Sequence, residues 1–170
     1  MEEGAKPDQE EVSIVTFEVG GERFGVDVSN VEGVIEPGEI IRMPRAPDYV
    51  VGITNLRGKV IAVIDLAKKL NLAGAGDAAK TPRKIVVVQA GDLKAGILVE
   101  SPDVIRISQS VIEPSPVKMP GESGGAFVRG IAKLESGLVV ILDIEEMFGR
   151  WAEGVGVEVV RQEDNKEQEA

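Results

Sequence analysis

The residues available for chemistry are few. The chain has 170 residues and contains neither histidine nor cysteine. Without imidazole it lacks the usual general base near neutral pH and the commonest metal ligand, so a histidine-based triad is excluded. Without thiols, disulfides, thiolate zinc sites, iron–sulfur clusters and a cysteine nucleophile are excluded as well. Catalysis would have to rest on carboxylates, lysine, tyrosine or hydroxyls. Asp65 and Asp143 are the most regularly placed carboxylates, and each precedes a helix-like stretch. An aspartate there accepts from backbone N–H groups as a helix cap, so the two are structural and not a catalytic pair. The segment Gly121–Gly125 is glycine-rich, but no Lys-Ser or Lys-Thr follows to hold phosphate and magnesium. No acidic loop has calcium-binding spacing. The residues therefore offer no cofactor motif and no metal site, and an enzyme would have to be carboxylate-based.

The net charge of −10 is unevenly spread. Residues 1–12 hold five acids and one lysine, and residues 153–170 hold six acids against one lysine and one arginine. Each acidic tail thus carries −4, which leaves −2 for residues 13–152. A chain without a basic stripe is a poor match for a nucleic-acid backbone. The start, MEEGAKPDQEE, has no apolar core of a signal peptide, and no run of about 18 apolar residues exists. These features point to a cytoplasmic protein without direct membrane insertion.

The elements that must position any site are strands. Valine and isoleucine number 25 and 15, and β-branched residues in that proportion favour sheets. Short apolar runs at Val12–Val19, Arg23–Val28, Val60–Ile64, Lys84–Ala90, Ala95–Val99, Val104–Ile107 and Leu138–Leu142 are separated by Gly, Pro, Asp or Ser. Gly20-Gly21 and Gly91-Asp92 have the composition of hairpin turns. Two short helices follow strands, Leu66–Leu72 and Ile144–Trp151, with Trp151 packing the second against a barrel. Ala73–Pro82 is a linker, and Ser115–Gly125 is a long loop.

An internal repeat organises these elements. At an offset of 71, Ile14, Val15, Gly20, Gly25 and Val28 meet Ile85, Val86, Gly91, Gly96 and Val99. At an offset of 78, Val50, Gly52, Ile53, Leu56 and Asp65 meet Val128, Gly130, Ile131, Leu134 and Asp143. Two matched segments in the same order indicate duplication. The expected fold is all-β, of small barrels or sandwiches, with two β units near 13–72 and 83–150 packed about a pseudo-two-fold axis. The groove between them is a natural binding site. Arg57 is not repeated, since Glu135 takes its place in the second copy. It sits at a glycine-bearing turn where a side chain can reach a partner.

The run Pro44-Arg45-Ala46-Pro47-Asp48-Tyr49-Val50-Val51-Gly52-Ile53-Thr54-Asn55-Leu56-Arg57-Gly58-Lys59-Val60-Ile61-Ala62-Val63-Ile64-Asp65-Leu66 resembles the signature of the chemotaxis coupling protein family, CheW. Thr16–Val28 and Gly130–Phe148 resemble the family too, so the likeness covers about residues 13–150. Gly33 departs from it, standing where Glu is frequent, with Glu32 next door; this unsettles a Glu contact with Arg57. Ala62 stands where Pro is common.

The resemblance implies two five-stranded SH3-like barrels with short helices. It also implies a non-enzymatic adaptor between chemoreceptors and the histidine kinase CheA. An adaptor of a pilus or gliding pathway is the alternative within the same fold; a carboxylate-based enzyme is the alternative outside it. The implied partners are the regulatory domain of CheA, the cytoplasmic tip of methyl-accepting chemoreceptors and further copies of the adaptor. By family position, Val31, Val34, Gly52, Arg57, Val99 and Val104 would form the receptor groove. Val28 and Ile40 would meet the kinase, with Glu113 and Val117 near the second contact that closes a ring.

Overall fold

The structure is a computed structural model and describes residues 10–70, 72, 83–115 and 128–148. The chain runs β1 (Glu11–Val19), β2 (Glu22–Asp27), β3 (Val31–Ile35), β4 (Val50–Leu56), β5 (Lys59–Ile64), α1 (Leu66–Lys69), β6 (Arg83–Ala90), β7 (Leu93–Ser108), β8 (Ile112–Glu113), β9 (Val128–Leu134) and β10 (Gly137–Leu142). The all-β expectation holds. Gly20 and Gly21 turn β1 into β2 with φ of 60° and 83°, and Gly91 begins the equivalent turn with φ 64°. These left-handed values suit a tight hairpin and favour residues without a Cβ. The Asp65 carboxylate accepts from the Lys68 N–H at 3.2 Å, and that of Asp143 accepts from the Glu146 N–H at 3.1 Å. Both aspartates are therefore helix caps. The first helix is only one turn long and stops short of Leu72; residues 144–148 are also helical, and Trp151 lies outside the described residues. The linker 73–82 and most of the loop 115–125 lie outside them too.

The two expected runs Ala95–Val99 and Val104–Ile107 are halves of one 16-residue strand, β7. Its first half, up to Glu100, pairs with β6, and its second, from Asp103 on, with β1, which also reaches Glu100 through Glu18. Between them Ser101 takes φ 53° ahead of Pro102, and the strand passes from one barrel to the other there.

This crossing corrects the division into barrels at 13–72 and 83–150. Hairpin β1–β2 leaves its own copy: β1 pairs with the second half of β7, and β2 pairs in parallel with β10. Hairpin β6–β7 does the converse, with β6 on β3 and β7 parallel to β5. One barrel is therefore β3, β4, β5, β6 and the start of β7, all within residues 31–100. The other is β1, β2, β9, β10 and the end of β7, with the short β8 added on β9, so the first is inserted into the second. We call them the inserted and the outer barrel. Sequence periodicity detects copies but is silent on which copy's hairpin closes which barrel. The exchange is symmetric, since the parallel β2–β10 contact repeats the parallel β7–β5 contact, so the pseudo-two-fold relation survives it.

Packing follows the exchange. Ile35, Leu56, Ile61, Val63, Ile85 and Val87 fill the inserted barrel. Ile14, Ile105, Ala132, Val139 and Ile141 fill the outer one. Ile14 and Ile85, the matched pair of the repeat, thus each serve the barrel built mainly from the other copy. Alternate residues of the same strands point the other way, as strand pleating requires. Val15, Phe17, Phe24, Ile64, Val86, Val88, Ile97, Val99, Met147 and Phe148 meet in a buried layer between the barrels.

Candidate functional site

Residues paired in register share one face of a sheet. On the inserted barrel, Val34 pairs with Val86, Val86 with Ile97, Ile97 with Ile64 and Ile64 with Val50. A parallel row runs Val31, Val88, Ala95, Ala62, Ile53 and Ile41. The middle of this apolar wall is covered by the outer barrel. Its margins are not: Val34 is 44% exposed, and Ile41 and Val60 are also exposed. β3 has β6 as its only strand partner among the described residues, so Val31 and Val34 stand on an edge. A margin of this kind offers a helix an apolar seat.

A charged cluster borders that edge. Arg57 opens the β4–β5 turn with φ 54°, followed by Gly58 at φ 86°. The Gly58 N–H donates to Asn55 Oδ1 at 2.8 Å and closes the turn. Left-handed backbone suits Asn or Gly, and holding an arginine there costs about 1 kcal/mol. In the outer barrel the equivalent turn, Glu135-Ser136, transfers the positive φ to Gly137 at 130°. Arg57 is therefore held in a conformation that its counterpart avoids. Its side chain is 77% exposed, and its guanidinium donates to Glu32 Oε2 at 3.5 Å. A register shift between Val31 and Gly33 places Glu32 at that point. The Glu–Arg contact unsettled by Gly33 is thus made by the neighbouring residue. The Lys94 ammonium lies 2.6 Å from Glu32 Oε1, off the hydrogen-bonding direction, so this buried oxygen is charge-paired without forming a hydrogen bond.

The structure distributes the other expected site residues differently. Val99 is 1% exposed in the layer between the barrels, because β7 alternates inward there; it cannot line a groove. Val104 is 61% exposed and faces the way Val34 does, since it pairs with Val15 as Val34 pairs with Val86. Gly52 is buried under its own chain: a Cβ there would lie 2.3 Å from the Ile41 carbonyl oxygen. Gly130 meets Glu113 in the same way, so this glycine serves the fold rather than a partner's approach. Ile40 is half-buried against the interior of the inserted barrel, and its neighbour Ile41 is the exposed one. Val28 is exposed on the short helical turn Val28–Asn30 that carries the chain from β2 to β3. Asn30 holds this crossover by donating to the Gln89 carbonyl at 3.1 Å. Glu113 is exposed and paired with Lys133 at 2.6 Å, and Val117 lies outside the described residues. Sequence reasoning missed Lys94, although its counterpart at the offset of 71 is Arg23, another cation just after a hairpin turn.

Among the described residues no group of three acidic, histidine or cysteine side chains is arranged to hold a metal. No helix among them is long and apolar enough to cross a membrane.

Comparison with known proteins bears on the fold and the family. Residues 13–151 match the model of the CheW-like domain family. The chain is 31% identical to the chemotaxis protein CheW of Treponema pallidum over 144 residues, covering 82% of this chain and 83% of that protein. It is 32% identical to CheW of Helicobacter pylori over 143 residues, covering 83% and 84%. The crystal structure of the scaffolding protein TtCheW from Thermoanaerobacter tengcongensis superposes with a TM-score of 0.71 at 32% identity, covering 90% of this chain and 93% of that one.

Proposed function

The chain belongs to the CheW-like domain family, whose members are chemotaxis scaffolds, and on that premise we propose that it is a non-enzymatic adaptor coupling chemoreceptors to the histidine kinase CheA. In this reading it works in the cytoplasm and reaches receptor arrays through its partners. The receptor's helical tip lies against β3, with Val31 and Val34 as apolar seat and Arg57 as polar rim. Val104 extends the same kind of surface on the outer barrel. The kinase regulatory domain meets Val28 and the exposed Ile41, and Glu113 borders the second contact of a ring.

The observation that carries this reading is Arg57. It occupies a turn position that arginine disfavours, it is exposed, and it stands beside a half-covered apolar edge. Local strain kept without a folding benefit points to a functional role. A guanidinium can hold a carbonyl or carboxylate in a fixed fork that lysine cannot copy.

Titration of Arg57→Ala against both partners tests the proposal. Receptor-tip binding should weaken by about 1–3 kcal/mol, the cost of losing a charged hydrogen bond. Affinity for the kinase regulatory domain should not change. Loss of kinase binding with full receptor affinity would reverse the assignment.

A further inference from the structure

We infer that Lys94 is a positioning residue for the receptor contact, acting through Glu32 to keep the Arg57 guanidinium turned outward and available. The inference rests on the receptor reading of the β3 edge.

Three charges meet at this corner, two cations and one carboxylate. Glu32 and Lys94 are largely withdrawn from water, with side chains 21% and 14% exposed, whereas that of Arg57 is 77% exposed. Lys94 is also the nearer cation, at 2.6 Å against 3.5 Å for Arg57. Coulomb attraction falls with distance and strengthens away from water, so the carboxylate is compensated chiefly by Lys94. Arg57 touches Glu32 through one nitrogen, which steers the side chain and leaves most of its five donors unused. The corner keeps a net charge of +1, presented outward on Arg57, and fits an acidic or carbonyl acceptor on the partner.

The outer barrel lacks this arrangement. Arg23, the counterpart of Lys94, donates to Ser136 Oγ at 2.8 Å, a neutral partner in the β9–β10 turn. The turn there carries Glu135 in place of Arg57. The triad is therefore a feature of the corner that holds the strained arginine and is not demanded by the repeated fold.

Without Lys94, the Glu32 carboxylate keeps Arg57 as its one paired cation among the described residues and draws the guanidinium inward. The test is calorimetric titration of the full chain with a soluble chemoreceptor hairpin fragment from its own genome. Lys94→Met should weaken binding about tenfold, while Lys94→Arg stays close to wild type. Adding Glu32→Gln to Lys94→Met should restore affinity, because the competing charge is gone. Binding of the kinase regulatory domain should stay constant throughout. A purely structural role for Lys94 would not produce recovery on removal of a second charge. If Arg57→Ala weakens receptor binding but Lys94→Met does not, or if Glu32→Gln brings no recovery, the inference fails while the receptor reading stands. If Arg57→Ala itself has no effect, the receptor reading fails. Should Lys94→Met unfold, Lys94→Gln with and without Glu32→Gln applies the same criterion.

Discussion

The two barrels share an interior and differ at the rim. Inside, Ile85 and Ile14 occupy matched places, as do Ile61 and Val139. At the rim, Ile41 of the inserted barrel corresponds to Glu113 of the outer one, and Leu93 corresponds to Glu22. Asn55 opposite Val60 corresponds to Lys133 opposite Leu138. Further along, Val51 and Leu98 pack against the inserted barrel's core, where the outer barrel has Arg129 and Asp27 in an ion pair at 3.5 Å. Core positions are constrained by packing, where a single methylene is felt. Rim positions are free to diverge. A duplicated unit can thus keep one fold and offer different surfaces to different partners, which a scaffold requires.

The largest expected effect probes the part that both barrels share. A Cβ on Gly52 would lie 2.3 Å from the Ile41 carbonyl oxygen, whereas one on Gly130 would lie 2.8 Å from that of Glu113. Neither obstacle is a flexible side chain. Gly52→Ala should destabilise by about 3 kcal/mol and Gly130→Ala by less, near the middle of the range for overpacking. Urea denaturation of both variants checks the order; a milder effect at Gly52 would mean that the Ile41 crossing yields more easily than its counterpart.

Tyr49 sharpens the comparison at smaller scale. Its ring is buried under Lys69, whose ammonium lies 4.5 Å from the ring centre. Its hydroxyl has no hydrogen-bond partner among the described residues. Burial, aided by the nearby Asp48 charge, pushes the phenol pKa up. The other copy has Phe127 at this place. Tyr49→Phe should leave the melting temperature unchanged or raise it by the equivalent of about 1 kcal/mol or less. A clear loss of stability would reveal a partner for the hydroxyl.

The smallest effect separates the barrels by pH. Burial raises the Asp27 carboxyl pKa, but hydrogen bonding from Ser29 and the Arg129 charge outweigh it, leaving the group below its usual range. A lowered folded-state pKa contributes stability above the unfolded value, which is lost as pH falls through the folded one. Below about pH 4, the Asp27→Asn variant should therefore lose less stability than wild type. Val51 and Leu98, the counterparts in the inserted barrel, have nothing to titrate. Parallel acid-stability curves for wild type and variant would remove Asp27 from the account.

Strand content, hairpin glycines, helix caps and the repeat were legible in the sequence because each is a local signal. The exchange of hairpins was not, because β1 can complete either barrel with the same alternation of apolar residues. Val99 shows the same limit at the site: as a strand end it suited a groove wall, but the inward alternation of β7 buries it in the layer between the barrels. Arg57 was legible as the residue that the repeat does not require. Its partners Glu32 and Lys94 come from β3 and β7, and their meeting depends on a register shift that no spacing rule supplies.

The most direct measurement uses the absence of native cysteine. Single cysteines at Val34, Val104 and Ile41 can be labelled with a maleimide, with and without a saturating receptor hairpin fragment or kinase regulatory domain. The account predicts that the receptor fragment slows labelling at Val34→Cys and Val104→Cys and leaves Ile41→Cys unaffected, while the kinase domain does the opposite. Free labelling at Val34→Cys in the receptor complex, with protection at Ile41→Cys, would contradict it.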